Sequence, residues 1–274
     1  MRRLTVKRVA CNEKELVGEY AKQEDVEIVV SEDTELISEE GELIGIYLKK
    51  IPADIDIVRD ALDRTSITQS ERATKKKPMK TRSTCFGYMP AIHTRNHPCR
   101  VAALARTQNR SHEILMGLTK QVAEIYKSFA PEKAESHQKE THERIKEEYI
   151  ILETMFTSGI VTKTSQLPYH YDSGNFKGAW SAMLGLSKNI QGGYLNIPEY
   201  NLALAITDGC LCFFDGQQRV HGVTPIKRAD PNAERYTIVW YSLERLWKCL
   251  DTKGELARMN ASQTAKNQRK RREL

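Results

Sequence analysis

The sequence predicts an α+β fold, with helices packed on one side of a β-rich C-terminal core. Two changes of texture predict it. Between residues 111 and 151 apolar side chains recur at helical spacing, and from Phe156 onward short apolar runs alternate with turn dipeptides. The chain of 274 residues has room for one large domain or two small ones, and it can bury a core without covalent staples.

The elements follow in order. Residues 26–48 read as strands (Val26–Val30, Glu35–Ile37, Leu43–Leu48), with Glu40-Gly41 marking a turn. Ile55–Leu62 reads as a short helix. These elements make residues 1–63 an N-terminal hairpin and helix extension. Residues 64–83 are polar and poorly patterned, and read as a basic linker or mobile loop. Residues 84–100 hold two prolines and a glycine and read as a structured loop. A helix starts at Ser111, with Ile114, Leu115, Leu118, Val122 and Ile125 on one face. Pro131 interrupts it, and Ala134–Ile151 reads as a second helix.

Beyond Phe156 the predicted strands are Thr157–Lys163, Ala179–Gly185, Gly193–Ile197, Leu202–Thr207, Cys210–Asp215, Arg219–Val223 and Tyr236–Tyr241. Asp208-Gly209 and Asp215-Gly216 punctuate them. Strands this short and this closely spaced predict a sandwich or barrel. Trp180, Tyr194, Phe213, Phe214, Trp240 and Tyr241 fall on these strands and read as core. Residues 84–250 would form the main domain and 251–274 a basic tail.

Composition narrows the function classes. No apolar run approaches the roughly 20 residues of a membrane span, and Met1–Val6 opens no secretory signal. The expectation is an intracellular protein without membrane contact, in the nucleus of a eukaryote or the cytoplasm of a bacterial or virus-infected cell. The six cysteines include no Cys-x-x-Cys pair and read as free thiols. Lys plus Arg total 42 against 36 Asp plus Glu, a net charge of +6. The excess is clustered. Residues 64–82 carry seven basic side chains against Glu71, and the last nine residues carry five against Glu273. Such clusters are often solvated ends, but they also suit binding to phosphates.

His170-Tyr171-Asp172 is the first sharp motif. On extended backbone, residues i and i+2 share a face, so an imidazole and a carboxylate are presented together. His221 follows 49 residues after Asp172. Two histidines and one carboxylate form the facial triad of non-haem Fe(II) oxygenases. Arg235 comes 14 residues later and heads an apolar strand. Its guanidinium can grip a carboxylate with two parallel hydrogen bonds, the geometry that 2-oxoglutarate requires. Thr237 shares its face. Arg219 and Arg228 are the competing anchors. A lone His on a strand is more often a core residue; the ordered set of four is far more specific. No phosphate loop, His-Glu-x-x-His or Gly-x-Ser-x-Gly competes with it.

At these residues a family resemblance emerges. His170-Tyr-Asp172-Ser-Gly-Asn175, Gly192-Gly193-Tyr-Leu, Phe214-Asp215-Gly216, Val220-His221-Gly222-Val223 and Arg235-Tyr-Thr237 together resemble the TET/JBP dioxygenases, over about residues 84–245. The resemblance implies a double-stranded β-helix (jelly-roll or cupin-like) core and the use of Fe(II), 2-oxoglutarate and O2. It implies hydroxylation of the 5-methyl group of a flipped pyrimidine in DNA, with RNA also open. It makes His170, Asp172 and His221 the iron ligands, Arg235 the co-substrate anchor with Thr237 beside it, and Asn175 a base contact.

One departure stands out. Cytosine-acting members carry a base-contacting histidine eight residues after the arginine, where this chain has Leu243. The expected substrate is 5-methylcytosine, with thymine as the alternative. An oxygenase of proteins or small molecules, and an inactive nucleic-acid adaptor, are the other readings. In the 84–100 loop, Arg95, Asn96 and Arg100 are expected to face DNA. Cys85, His93, His97 and Cys99 offer zinc ligands at a spacing that matches no common finger. The chain is expected to act as a monomer.

Overall fold

The computed structural model describes residues 1–72 and 79–272. The chain opens with β1 (Arg2–Val6), the single turn α1 (Glu13–Leu16), β2 (Ile28–Val30), β3 (Thr34–Ser38), β4 (Leu43–Leu48) and α2 (Ile55–Asp63). β5 (Gln69–Arg72), β6 (Met79–Met89) and β7 (Arg100–Val101) lead into α3 (Leu104–Thr107), α4 (Asn109–Phe129) and α5 (Pro131–Arg144). Then come β8 (Ser158–Lys163), β9 (Ser181–Lys188), β10 (Ile190–Gly192), β11 (Leu195–Ile197), β12 (Leu202–Leu204) and β13 (Leu211–Phe214). β14 (Gly222–Val223), β15 (Ile226–Arg228), β16 (Glu234–Tyr241) and α6 (Thr252–Arg272) complete it.

The larger sheet runs β1-β3-β4-β13-β9-β16-β8-β6-β5, with β7 also on β6, and the smaller runs β14-β11-β12-β2. Alternation along the strands gives the larger sheet two buried faces. Tyr236, Ile238 and Trp240 of β16 face the helices, together with Leu184 of β9, Phe213 of β13 and Phe86 of β6. There they meet Leu115, Leu118, Val122 and Tyr126 of α4. Burying each of the three aliphatic side chains contributes about 1.5–3 kcal/mol. The opposite face carries Met183, Cys212 and Phe214, which pack with Leu195, Ile197, Leu202 and Leu204 of the smaller sheet. Two facing sheets thus enclose an inner space, and the helices cover one outer face.

The helix break at Pro131 is where the sequence puts it. α4 ends at Phe129 and Pro131 is the first residue of α5, where a missing N–H costs nothing. α5 stops at Arg144, short of the expected Ile151. Other differences are larger. Residues 64–83 are no simple linker: β5 and the first part of β6 lie there, and Ser83 pairs with Thr162 of β8. The expected loop 84–100 begins as the rest of β6. The N-terminal strands join both sheets, because β4 pairs with β13 and β2 with β12. Residues 251–274, read as a tail, form the helix α6 over their described part.

The free-thiol reading is also corrected. Cys99 and Cys249 form a disulfide with Cα atoms 5.9 Å apart, while Cys11, Cys85, Cys210 and Cys212 form no disulfide among the described residues. The partners are 150 residues apart, so only the tertiary fold joins them. This pairing removes Cys99 from the zinc set. Cys85 lies on β6, and the side chain of His93 falls outside the described residues. No helix among the described residues is long and apolar enough to cross a membrane.

Candidate metal centre and co-substrate pocket

His170 and His221 face each other across an isolated antiparallel bridge. His170 N donates to His221 O at 2.9 Å, and His221 N donates to His170 O at 3.1 Å. Asp172 N donates to Gly216 O at 2.8 Å, which ties the carboxylate to the turn after β13. These backbone bonds bring the side chains together. His170 Nε2 lies 3.7 Å from Asp172 Oδ1, and His221 Nε2 lies 3.9 Å from Asp172 Oδ2. One donor atom from each of the three residues falls within 4.8 Å of the others.

The surroundings prepare both imidazoles as ligands. His170 Nδ1 is 2.7 Å from Pro168 O, and His221 Nδ1 is 2.9 Å from Arg219 O. A carbonyl only accepts, so each Nδ1 carries the proton and each Nε2 lone pair points to the centre. Burial, with the neighbouring His170, pushes the His221 imidazole down to about 4, against the pull of Asp172. It is therefore neutral near pH 7, the form that binds metal. Gly216 leaves the centre open. A Cβ there would stand 2.7 Å from Asp172 Oδ2 and 3.2 Å from His221 Cε1.

The arginine site lies on the inner face of the larger sheet. Arg235 on β16 is 1% exposed, and among the described residues no carboxylate pairs with it. Its Nη2 donates to Gly193 O at 2.7 Å, while Nε is buried without a partner. Burial brings its pKa down to about 10, which still leaves the guanidinium charged near pH 7. Gly193 has φ +69°, and a Cβ on it would press on Arg235 Nε at 3.1 Å. A buried cation with an unused N–H is built for an anion. Thr237, on the same face, shares a hydroxyl hydrogen bond with Thr162 of β8. Along β13, the Phe214 ring lies 5.1 Å edge-on from His221, and Cys210 and Cys212, toward the other end, lie near Arg235.

The competing anchors are otherwise engaged. Arg219 Nη1 donates to Glu199 Oε1 at 2.6 Å and to the Tyr200 hydroxyl at 2.7 Å. Arg228 Nε donates to Ala233 O at 3.0 Å.

Asn175 and Leu243 are brought together as an isolated bridge pair. Asn175 N donates to Asp172 O at 2.9 Å, and its side-chain Nδ2 donates to Ser181 Oγ at 3.1 Å. The amide is thus one turn from the segment that bears His170 and Asp172, beside an apolar Leu243. Arg95 and Asn96 lie in the loop between β6 and β7, whose Ala91 and Cys99 share a cluster with Leu243. Arg95 is exposed, and Asn96 Nδ2 approaches Met259 O of α6 at 3.4 Å. Arg100 donates to Pro98 O at 3.0 Å. Sequence reasoning missed Glu199, and read Arg219 only as a possible anchor. Their pairing bridges 20 residues on no recognisable motif, so no sequence signal marked it.

Comparisons with known proteins agree with this geometry. The family model Tet_JBP, the oxygenase domain of the 2OGFeDO superfamily, matches residues 83–244. Bifunctional helicase and thymine dioxygenase JBP2 of Trypanosoma brucei brucei is 25% identical over 230 residues, covering 82% of this chain and 21% of that protein. The JBP2 of Trypanosoma cruzi is 25% identical over 253 residues, covering 87% of this chain and 22% of its own. The chain therefore spans about a fifth of the length of these relatives. The solved structure of NgTET1 in complex with 5mC DNA superposes with a TM-score of 0.58 at 12% identity, over 87% of this chain and 94% of that one. That likeness shows a shared double-stranded β-helix fold. With more than half of its length matched by the family model, this chain belongs to the Tet_JBP family of oxygenase domains.

Proposed function

We propose that the chain is an Fe(II)- and 2-oxoglutarate-dependent dioxygenase that hydroxylates the 5-methyl group of a pyrimidine in DNA. The observation that carries this reading is the pairing of two features in one fold. A two-histidine, one-aspartate centre converges, and among the described residues no carboxylate pairs with the buried Arg235. His170, Asp172 and His221 would hold Fe(II), and Arg235 would receive the far carboxylate of 2-oxoglutarate. When bound, iron, 2-oxoglutarate and O2 supply the oxidising power that turns a C–H bond into C–OH.

The chain's own residues do the rest. The Nδ1–H bonds to Pro168 O and Arg219 O orient the two imidazoles. Gly216 keeps the space beside Asp172 free of side chain. Arg235 would fix the co-substrate by its far carboxylate. A methyl group in the major groove cannot reach a centre between two sheets. The base must leave the stack, at a cost of a few kcal/mol.

Two bases fit this class. The Asn175 amide, one turn from Asp172, supports 5-methylcytosine, with 5-hydroxymethylcytosine as product. The thymine-dioxygenase relatives and the apolar Leu243 favour thymine, with 5-hydroxymethyluracil as product. DNA-stimulated formation of succinate from 2-oxoglutarate tests the class. It should require Fe(II) and vanish in His170→Ala. Succinate formation stimulated by a protein or small molecule and indifferent to DNA would move the substrate to another class.

A further inference from the structure

Residues 8–21 lie outside the family-matched span, yet they touch both segments that carry the metal ligands. Gly18 N donates to Tyr169 O and Tyr169 N donates to Glu19 O, both at 2.8 Å. This reciprocal pair sits immediately before His170. The hydroxyl of Tyr171, the residue between His170 and Asp172, donates to Glu13 Oε2. On the other side, Arg8 Nη2 stands 3.5 Å from Glu13 Oε1 and 3.0 Å from Glu199 Oε2. Glu199 is 3% exposed, and its second oxygen accepts from Arg219 Nη1. The carbonyl of Arg219 in turn accepts from His221 Nδ1. Val9 N also donates to Glu199 O at 2.8 Å. Below this chain of polar groups, Ala21 packs with Tyr169 and Val220, the residues that precede the two histidines.

The arrangement has a physical logic. His170 and Asp172 sit on no regular strand, and one isolated bridge joins His170 to His221. Segments held so sparsely need support from outside. Glu13, Arg8, Glu199 and Arg219 alternate in sign, so their charges balance although Glu199 is buried. One end of the series grips Tyr171 and the other reaches His221.

We infer that residues 8–21 are a brace for the metal centre, with Glu13 and Arg8 as positioning residues. Glu13 acts through Tyr171, and Arg8 acts through Glu199 and Arg219. The inference rests on the proposed metal-binding role of the triad. It predicts that the centre depends on a segment that the shared oxygenase domain does not include.

Co(II) titration of the full chain tests it, followed by calorimetry and by the visible absorption of the bound ion. The unmodified chain should take up one Co(II). Glu13→Ala and Tyr171→Phe should each weaken uptake by about tenfold and change the spectrum, since partners behind metal ligands affect affinity on that scale. Glu13→Gln retains an acceptor for the tyrosine hydroxyl and should keep most of the affinity. Lys14→Ala, exposed on the same helical turn, should match the unmodified chain. Tyr171→Phe keeps the ring and its packing, so it still reads the hydrogen bond if Glu13→Ala folds poorly. Unchanged affinity and spectrum in both Glu13→Ala and Tyr171→Phe would overturn the brace. Absence of Co(II) uptake by the unmodified chain would instead overturn the metal reading of the triad, and the brace with it.

Discussion

At the scale of single residues, two buried bases make opposite demands. Arg235 is charged and has no anionic partner among the described residues, so its free energy improves when an anion arrives. A charge-assisted hydrogen bond is worth about 1.5–3 kcal/mol. Arg235→Ala should therefore weaken 2-oxoglutarate binding at least about tenfold. Thermal denaturation with the metal present is a direct readout: 2-oxoglutarate should raise the Tm of the unmodified chain more than it raises the variant's. An equal rise in both would place the anchor elsewhere. His137 is buried and uncharged. Ser242 Oγ donates to Met155 O, so it accepts from His137 Nε2–H, and Nδ1 is left without a partner. Burial lowers its pKa to about 3, below the ordinary 6.5. Between those values the unfolded chain binds a proton that the folded chain refuses. Stability should thus fall on acidification through that window, by up to about 1.4 kcal/mol per pH unit from this group. Urea unfolding of His137→Gln should show a shallower loss from pH 6 to 4 than the unmodified chain. Parallel curves would mean that His137 is already charged in the fold.

At the scale of elements, α6 and the segment around β5 carry the charge that the sequence clusters. Deleting residues 266–274 removes five positive side chains. If they meet phosphates, the salt slope of DNA binding should fall by about 0.9 for every phosphate left without its cation. Turnover at saturating DNA should stay near the unmodified value, because neither the triad nor Arg235 lies on α6. Binding isotherms at several salt concentrations check this, and an unchanged slope would make the tail a solvated end. Elements also show what a sequence can and cannot disclose. The β16 alternation of Tyr236, Ile238 and Trp240 against Arg235 and Thr237 is visible as a pattern of two, and the structure honours it. β6 was hidden, because its first half is basic and its partner β8 lies some 80 residues on. The same is true of Cys99 and Cys249, of Glu199 and Arg219, and of Glu13 and Tyr171. In each pair the partners are ordinary residues, and only the folded chain makes them neighbours. The triad was legible because metal chemistry restricts the residue types and the strand pattern restricts their spacing.

At the scale of the whole molecule, the larger sheet does two jobs with its two faces. One face is sealed by α4 and α5, whose Leu115, Val122, Tyr126 and Ala134 share a core with Trp240 of β16. The other faces the smaller sheet and leaves polar side chains, Arg235 and Thr237 among them, inside the space between the sheets. Arg235 Nε, buried there without a partner, is costly unless a ligand satisfies it, which ties the architecture to its chemistry. The account stands or falls on the oxidation of a methylated base. Duplexes containing 5-methylcytosine and thymine should be incubated with the chain, Fe(II), 2-oxoglutarate and O2, then digested to nucleosides and analysed by mass spectrometry. The account predicts 5-hydroxymethylcytosine, 5-hydroxymethyluracil or both, and no such product with Asp172→Ala. Unmodified bases throughout, from a chain that binds Fe(II) and 2-oxoglutarate, would contradict it.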